Sequence, residues 1–175
     1  YGDYLRCGSM ASKSKIMQSV INFANSGGMV MGICNGFQIL VESGLVPGVL
    51  LRNKYLEFIC KNVFVKVDNK DNPYFKNLNK DIFEFHIAHN EGNYFASDDD
   101  LQRLEDNGQI AFRYTESDIT GPANPNGAAR DIAGILSANG RVMGMMPHPE
   151  RAISSALGSA DGATMLTAAL EALAA

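Results

Sequence analysis

The sequence predicts an α/β layered domain built on a mostly parallel sheet. Residues 11–26 repeat apolar side chains at helical spacing, residues 29–33 form a short continuous apolar run, and residues 35–43 again fit a helix. A helix, a buried strand, a sharp turn and a second helix in succession are typical of domains with parallel strands. The length of 175 residues suits one hydrophobic core, so we expect residues 1–175 to form a single domain.

The first helix and the strand after it are predicted from the pattern of apolar residues. The residues that recur three and four positions apart are Ile16, Val20, Phe23 and Ala24. This spacing predicts an amphipathic helix, and Gly27 and Gly28 then supply a C-terminal cap. Residues 29–33 carry no polar side chain, which predicts a strand buried on both faces. The second helix should end at Gly44.

The rest of the chain alternates strand patterns with polar turns. The predicted strands are residues 63–67, Ile82–His89, residues 110–114, Ile132–Leu136 and residues 141–145. Polar turns at 68–73 and 97–100 separate the earlier strands, and residues 120–130, rich in Pro, Gly and Asn, are predicted to be a loop. A final helix, rich in Ala and Leu, is predicted over residues 161–175.

The composition is that of an ordinary globular protein and excludes several classes. A net charge of −4 gives no basic field for nucleic acid or an anionic membrane surface. No apolar run approaches the roughly 20 residues of a membrane helix, and no secretory signal pattern opens the sequence. Three cysteines cannot all pair, and none lies in a Cys-x-x-Cys spacing. We therefore expect reduced thiols and a cytoplasmic protein that binds neither nucleic acid nor membrane.

Residues 32–36, Gly-Ile-Cys-Asn-Gly, place a cysteine where a nucleophile is expected. A nucleophile must stand above the sheet, which needs a tight, strained turn from strand to helix with small residues on either side. Cys34 lies at the apex of this turn, with Gly32 and Gly36 two positions away. The positive end of the following helix would lower the pKa of the Cys34 thiol and increase the fraction of thiolate, the form that attacks.

The alternative for any cysteine is a small buried apolar side chain, because unpaired cysteines are among the most buried residue types. Cys34 could end a core strand in this way, and its flanking glycines are what favour a functional role. Cys7 and Cys60 have no such setting, so we expect both to be structural.

The proton acceptor that a thiol nucleophile needs is predicted at His148. It lies in residues 146–151, Met-Pro-His-Pro-Glu-Arg, directly after a predicted strand. The two prolines would hold the segment extended, so that His148 and Glu150 point the same way and form a Cys-His-acid triad with Cys34. The alternative is a surface loop with an incidental His and Glu. The triad is favoured because both Cys34 and His148 follow predicted strands, where the sites of parallel sheets collect.

His86 and His89 are three positions apart on one predicted strand, so their side chains should face opposite sides of the sheet. His89 opens a glycine-containing turn at residues 89–94 and is the better candidate for a functional site. His86 is predicted to be a packed or surface residue.

These motifs together resemble the class I, or triad, glutamine amidotransferases. The stretches that carry the resemblance are residues 1–6, 32–40, 88–94, 124–127 and 144–151. Cys-Asn-Gly-Phe-Gln at residues 34–38 further resembles the glutaminase subunits of purine biosynthesis, since relatives in other pathways have Cys-Leu-Gly-His-Gln. The resemblance implies a three-layer, flavodoxin-like fold, with a mostly parallel central sheet and helices on both of its faces.

The resemblance implies a role for each site residue. Cys34 would attack the side-chain amide of L-glutamine to form a γ-glutamyl thioester. His148 would protonate the departing ammonia and then activate water, and Glu150 would orient His148. Gln38 would help to hold the glutamine, and the backbone amide of Asn35 would contribute to the oxyanion hole. The substrate-binding candidates are Gln38, Asn35, His89 and Arg6.

The resemblance also implies partners. Ammonia would pass to a large synthetase subunit that binds ATP and Mg²⁺ and converts formylglycinamide ribonucleotide to its amidine, with a small accessory subunit in the same complex. No cofactor or metal is expected in this chain. Family members ordinarily begin with a further strand, helix and strand that end in Gly-Gly-Phe-Ser and supply part of the oxyanion hole. That segment is not in this sequence, so we expect a domain that is incomplete at its N-terminus.

Two other functions are open at this point. The same chemistry could serve guanylate, histidine or pyridoxal phosphate synthesis, although the Asn-Gly-Phe after Cys34 argues against it. From a different class, the chain could be a catalytically silent partner-binding module, or a hydrolase or stress protein with a cysteine at a similar elbow.

Overall fold

The computed structural model describes residues 5–116 and 123–174, which form five α-helices and eight strands. The helices are α1 (Leu5–Ser12), α2 (Lys15–Asn25), α3 (Asn35–Glu42), α4 (Asp98–Asp106) and α5 (Asp161–Ala174). The strands are β1 (Val30–Ile33), β2 (Val49–Leu51), β3 (Ile59–Val67), β4 (Ile82–His89), β5 (Asn93–Phe95), β6 (Ile110–Thr115), β7 (Ile132–Leu136) and β8 (Val142–Met145). Every predicted strand is therefore present, with small changes at the ends.

Six of the described strands form one sheet in the order β1-β8-β7-β6-β3-β4, and β2 pairs with β5 in a separate small sheet. Helix α3 packs on β1 and β8 at one end of the larger sheet, and α5 packs on β4 at the other end. Helices therefore cover a central sheet, and the predicted α/β class is confirmed. None of the helices in the described ranges is long and apolar enough to cross a membrane.

The prediction of a mostly parallel sheet is wrong for the described strands. Only β1 and β8 pair in parallel, and the neighbours from β8 through β7, β6 and β3 to β4 all pair antiparallel. For β7 and β8 the reason is the length of the connection. Residues 137–141 alone join β7 to β8, and so short a segment makes a hairpin, whereas a parallel pair needs a crossover of a dozen or more residues.

The larger sheet curls so that the segment after β8 meets the outer edge of β4. The backbone N–H of His148 donates a hydrogen bond of 2.8 Å to the carbonyl oxygen of His86, and the two residues form an isolated antiparallel bridge. Strands β8 and β4 are otherwise separated by three strands. The curl thus brings residues from the two ends of the sheet order to one place.

Strand β4 separates a buried face from a more exposed one. Phe83, Phe85, Ile87 and His89 are all buried, whereas the alternate residues are partly or fully exposed. Phe85 also packs edge-on against Phe112 of β6, with ring centroids 6.3 Å apart. His89 therefore faces the core side and His86 the other side, as predicted from their spacing.

Two predictions about the first elements are corrected. Residues 5–25 form two helices rather than one, and in α2 the side chains of Ile16 and Phe23 are exposed. The buried residues are Met17 and Ala24, which lie about 100° further round the helix, since each follows Ile16 or Phe23 by one position. Most of β1 is half-buried rather than buried, because β1 is the edge of the sheet among the described strands.

Some predicted features fall partly or wholly outside the described residues. The opening turn at residues 1–4 lies outside them, as do residues 117–122 at the start of the predicted loop. The described part of that loop, residues 123–128, has no regular secondary structure, and a short 3₁₀ helix follows at Ala129–Asp131.

Candidate active site

Cys34 occupies a strained turn between β1 and α3. Its backbone φ of 52° and ψ of −106° lie in a region that residues other than glycine rarely adopt, and which costs about 1–3 kcal/mol. The Cys34 N–H donates to the carbonyl oxygen of Met145, the last residue of β8, over 2.8 Å. The predicted tight turn from strand to helix, with Cys34 at its apex, is confirmed.

Gly32 is what allows the helix to pack this close to the strand. A Cβ atom placed on Gly32 would lie 2.6 Å from the carbonyl oxygen of Gly36 and 2.5 Å from Leu40 Cδ1, both far inside normal contact. A Cβ on Gly36 would meet no described atom within 4 Å. The expectation that both glycines are needed for the close approach is therefore wrong for Gly36, whose backbone oxygen rather than its α-hydrogens faces β1.

His148 lies directly beyond β8, the parallel neighbour of the strand that leads to Cys34. Ile33 and Met145, the last residues of β1 and β8, are paired in register, so both strands deliver their following residues to the same edge of the sheet. The His148 side chain is buried, and its Nδ1 atom lies 2.5 Å from Oε1 of Glu150.

The prolines of the segment that carries His148 and Glu150 predict an extended backbone, and this prediction is wrong. Pro149 instead begins a 3₁₀ turn over Pro149–Arg151, because its fixed φ and missing N–H suit the first position of a helix. The turn itself returns the Glu150 carboxylate to the His148 ring. The predicted pairing of the two side chains is present, by a different backbone route.

The hydrogen bonds of His148 indicate which ring nitrogen carries the proton. An ionised carboxylate can only accept, so Nδ1 carries a proton and donates to Glu150, and in the neutral ring the lone pair is then on Nε2. Burial raises the pKa of Glu150, but the hydrogen bond and charge of His148, with the charge of Arg151, lower it below its usual value overall. His148 Nε2 is buried without a hydrogen-bond partner among the described residues. It is therefore available as a base.

His89 is a second buried histidine with one ring nitrogen engaged. Its Nδ1 lies 3.0 Å from Oδ1 of Asn53, which also accepts the Gly92 N–H. The Asn53 Nδ2 group donates to the carbonyl oxygens of His89 and Glu57, so Oδ1 is an acceptor and His89 Nδ1 must carry the proton. Burial, with a further contribution from the His148 charge, lowers the pKa of His89 to about 4, so the ring is neutral near pH 7.

Nε2 of His89 is also buried without a partner among the described residues. Two imidazoles that influence each other electrostatically, His89 and His148, thus both present a lone pair inside the protein. Sequence spacing had identified His89 as the better of the two β4 histidines, and its full burial agrees with that choice.

Gln38 and Asn35 connect the start of α3 to the turn after β4. The Gln38 side chain is 1% exposed, its Nε2 donates to the carbonyl oxygen of Glu91 over 3.0 Å, and its Oε1 accepts from Asn35 Nδ2 over 2.9 Å. The backbone of Arg6 lies in α1, and its side chain lies outside the described residues. The predicted glutamine-binding residues other than Arg6 therefore lie in or beside one hydrogen-bonded region.

Sequence reasoning missed two residues of this region, Tyr114 and Asn126. Tyr114 is buried on β6, and burial raises its pKa, as does the nearby Cys34. Asn126 is fully buried, and its Nδ2 donates to the Tyr114 hydroxyl over 3.2 Å and to the carbonyl oxygen of Gly92 over 2.8 Å. Asn126 stands in the Asn-Pro-Asn-Gly loop, which was noted as a loop and as one of the stretches that carry the resemblance, but with no role for Asn126 itself.

The described residues offer no cluster of side chains that could bind a metal ion. Within residues 5–116 and 123–174, no three side chains of His, Cys, Asp or Glu are grouped as a metal ion would require. The three cysteines lie in the described part of the chain and form no disulfide.

Comparison with known proteins places this geometry in a family context. Residues 1–164 match the model of the CobB/CobQ-like glutamine amidotransferase domain. Phosphoribosylformylglycinamidine synthase subunit PurQ of Pelagibacter ubique (strain HTCC1062) is 66% identical over 164 residues, covering 93% of this chain and 72% of that protein. The same subunit of Rhizobium meliloti (strain 1021) is 48% identical over 176 residues, covering 100% of this chain and 77% of the relative.

A solved structure is similar over nearly the whole chain. The structure of PurLQS from Thermotoga maritima superposes with a TM-score of 0.84 at 39% sequence identity, covering 99% of this chain and 75% of the matched chain. The present chain thus spans roughly three quarters of the length of the relatives it matches.

Proposed function

The chain belongs to the CobB/CobQ-like glutamine amidotransferase family, and we propose that its Cys34, His148 and Glu150 hydrolyse L-glutamine. The resemblance inferred from residues 32–40 and 144–151 is confirmed by the family and by the relatives. The chain is an amidotransferase subunit of a phosphoribosylformylglycinamidine synthase, which acts in purine biosynthesis. What remains to be argued from the geometry is how the side chains divide the work.

The observation that carries the assignment is the state of His148. Its Nδ1 donates to Glu150, its Nε2 is a buried lone pair, and it follows the strand paired with the one that leads to Cys34. Glu150 is an anion near pH 7, because its pKa lies below the usual value despite the opposing effect of burial. A carboxylate that orients an imidazole beside a thiol is the arrangement that activates a cysteine nucleophile.

The reaction then follows in two balanced steps. His148 Nε2 takes the thiol proton as the Cys34 sulfur attacks the amide carbon, and it returns that proton to the departing nitrogen, which leaves as ammonia. In the second step, His148 removes a proton from water as the oxygen attacks the γ-glutamyl thioester. The proton returns to sulfur, and glutamate is released. Thiol, imidazole, carboxylate and water suffice, so we propose that this chain uses no cofactor.

We propose that the oxyanion forms against the start of α3. Asn35 is the first residue of α3, at the end of the helix that carries the positive end of its dipole. Its backbone N–H follows directly on Cys34, so it can stabilise charge that develops on the attacked oxygen. The positive end of the helix macrodipole adds to this stabilisation.

We propose that the predicted glutamine-binding residues bind the substrate beside the start of α3. Gln38 and the Asn35 side chain hold the turn at Glu91 in place, so their contribution includes shaping the pocket wall. His89 is neutral and keeps an acceptor at Nε2, which suits an N–H donor such as the glutamine ammonium or amide. Arg6 is proposed to bind the α-carboxylate, the one group of glutamine that calls for a cation.

The chain acts with a synthetase subunit, as the similar PurLQS structure supports. We propose that ammonia passes to this large subunit, that ATP and Mg²⁺ bind there, and that a small accessory subunit completes the complex. We further propose that the complex works in the cytoplasm, where a reducing environment keeps the Cys34 thiol available.

Replacing Cys34 by Ala or Ser tests the proposal directly. In the complex with the synthetase, we expect glutamate release to fall at least about 10³-fold in both variants, because no thioester can form. Amidine synthesis with ammonium chloride as the nitrogen donor should remain, since it bypasses the thiol. Cys60→Ser is the matched control and should leave both reactions intact. Glutamate release that persists in either Cys34 variant would exclude Cys34 as the nucleophile.

A further inference from the structure

A second group of thiol, imidazole and amide lies on the outer face of β3 and β4, away from Cys34. Asn62 and His86 are directly opposite each other in the antiparallel pair, and Cys60 precedes Asn62 by two positions on the same face. The Cys60 sulfur lies 3.4 Å from His86 Nε2, and His86 Nδ1 lies 3.0 Å from Asn62 Oδ1. Cys60 was expected to be structural, and its side chain is exposed rather than packed in the core.

The hydrogen bonds of this group determine where its protons lie. Asn62 Nδ2 is 2.9 Å from Oε1 of Glu84, and a carboxylate accepts only from a donor, so Oδ1 of Asn62 is an acceptor. His86 therefore carries its proton on Nδ1, where it donates to Asn62. Its Nε2 lone pair then faces Cys60, which donates its S–H. The order of groups is cysteine, histidine and asparagine, one of the recurring arrangements of cysteine enzymes.

His86 is kept in the form that a base requires. Partial burial, with the charges of Arg151 and His148 in addition, lowers the pKa of His86 below its usual value. The ring is therefore mostly unprotonated near pH 7, ready to accept the thiol proton from Cys60. Asn62 holds the ring in the orientation that directs Nε2 at the sulfur.

A cleft opens beside this group and leaves room for a small reactant. Its volume is about 250 Å³, and its lining includes Asn62, Glu84, His86 and Arg151. This is near the lower limit of ligand pockets, which run from roughly 300 to 1,000 Å³, so the cleft suits a substituent of a few heavy atoms. The cleft lies beside His86 and Asn62, and the Cys60 side chain is itself exposed to solvent.

We propose that Cys60, His86 and Asn62 form a thiol-exchange site that takes small-molecule disulfides. His86 Nε2 accepts the Cys60 proton as the sulfur attacks one sulfur of the disulfide, and the S–S bond of the reactant breaks. A new S–S bond joins Cys60 to half of the reactant, and the other half leaves as a thiolate, which takes the proton from His86. The small disulfide is the oxidant, and a second thiol reverses the reaction.

The first test compares the folded and unfolded chain with one probe, bis(2-hydroxyethyl) disulfide, at pH 7. The rate of mixed-disulfide formation at Cys60 is followed by mass spectrometry of its peptide, which separates it from Cys7 and Cys34. Base assistance predicts that Cys60 reacts about ten-fold faster in the folded chain than in urea, where only its intrinsic thiolate fraction acts. A folded rate equal to or below the unfolded rate would overturn the proposal.

Variants then separate base assistance from simple exposure. His86→Phe keeps an aromatic ring on the strand and should reduce the Cys60 rate to that of the unfolded chain, whereas an unchanged rate in the folded variant would overturn the proposal. Asn62→Ala leaves the His86 ring in place but removes the group that orients it, so the reaction of Cys60 should slow several-fold. This variant replaces His86→Phe in the test if His86→Phe does not fold. Lys66→Gln is the control, because Lys66 is an exposed residue of β3 outside this group, and the Cys60 rate in this variant should stay within about two-fold.

Discussion

The ring and the backbone of His148 are held by two neighbours, Glu150 two positions away and His86 on a distant strand. Glu150 accepts the proton of Nδ1, and the carbonyl oxygen of His86 accepts the backbone N–H, so both the ring and the backbone of His148 are held. Because Glu150 is about half exposed, its charge is screened, and its main effect is on the orientation and tautomer of the ring. The two residues should therefore differ in what their loss costs.

The division of roles between these residues predicts an order of catalytic loss. His148→Ala removes the group that transfers protons, and we expect kcat for glutamine hydrolysis to fall about 10²–10⁴-fold. Glu150→Gln leaves the base in place and should cost less, since an amide can still hold the ring but does not stabilise its charged form. Steady-state glutamate release in the complex measures both. Losses that are equal, or larger for Glu150→Gln, would show that the roles are misassigned.

At the residue scale, local motifs predicted the nucleophile and its partners, but not the residues that support them. Cys34, His148 and Glu150 each stand in a short stretch whose residue types indicate their chemistry. Asn53 reaches His89 across 36 positions, and no local signal in the sequence indicates such a hydrogen bond. The contact of Cys60 with His86 has no local signal for a related reason, since this histidine comes from the neighbouring strand.

The turn from β1 to α3 shows how one glycine positions a catalytic side chain. Gly32→Ala would bring a methyl group into the carbonyl oxygen of Gly36 and into Leu40, so the helix must shift or the strand must bend. We expect a loss of about 1–3 kcal/mol in the free energy of unfolding, as for other overpacked sites. Urea denaturation followed by circular dichroism measures the loss.

Gly36→Ala is the matched control for this prediction. Its Cβ would meet no described atom within 4 Å, and alanine favours a helix over glycine by roughly 0.5–1 kcal/mol. We therefore expect unchanged or slightly increased stability. A control variant that is destabilised as much as Gly32→Ala would mean that the close approach of strand and helix is not the cause.

At the element scale, strands with alternating patterns were predicted well, and short or unusually capped elements were not. Strand β4 has the predicted ends, because its buried and exposed residues alternate along its whole length. Helix α4 was mistaken for a polar turn, since its first turn holds three aspartates. Ser97 accepts the N–H of Asp100 as an N-cap, and acidic residues in a first turn complement the helix dipole, so the same residues can be interpreted as a helix start.

The stability of the whole molecule should depend on pH through His89. The folded state lowers the pKa of this histidine to about 4 and so keeps it neutral down to that pH, whereas the unfolded chain protonates it near the usual pKa of 6.5. Between these values the unfolded chain binds more protons, so the free energy of unfolding should fall as the pH is lowered through this window. One such group contributes up to about 1.4 kcal/mol per pH unit.

Denaturant unfolding between pH 4 and pH 7.5 measures this dependence. His89→Asn is the informative variant, because an asparagine amide can still donate to Asn53 but does not titrate. Its unfolding free energy should vary less with pH than that of the unmodified protein. Identical slopes for the two proteins would show that His89 is not held neutral by the fold.

At the scale of the molecule, the order of elements predicted the α/β class but not the direction of most strands. The parallel pair β1 and β8 joins segments more than a hundred residues apart, and it is this pair that delivers Cys34 and His148 to one edge. The hairpin of β7 and β8 follows from its short connection, which the search for helix and strand patterns did not weigh. No local pattern in the sequence indicates the curl of the larger sheet.

The curl of the larger sheet also affects the mobility of His148, through the hydrogen bond from the His148 backbone N–H to the His86 carbonyl oxygen. Most catalytic groups on loops share the mobility of the loop and exchange their amide hydrogens readily with solvent. The backbone amide of His148 is instead hydrogen-bonded to β4, a strand of the larger sheet. Exchange of its hydrogen therefore requires the segment after β8 to separate from the edge of β4. His148, for which we propose the proton-transferring role, therefore has the rigidity of a sheet, although it lies beyond the end of its own strand.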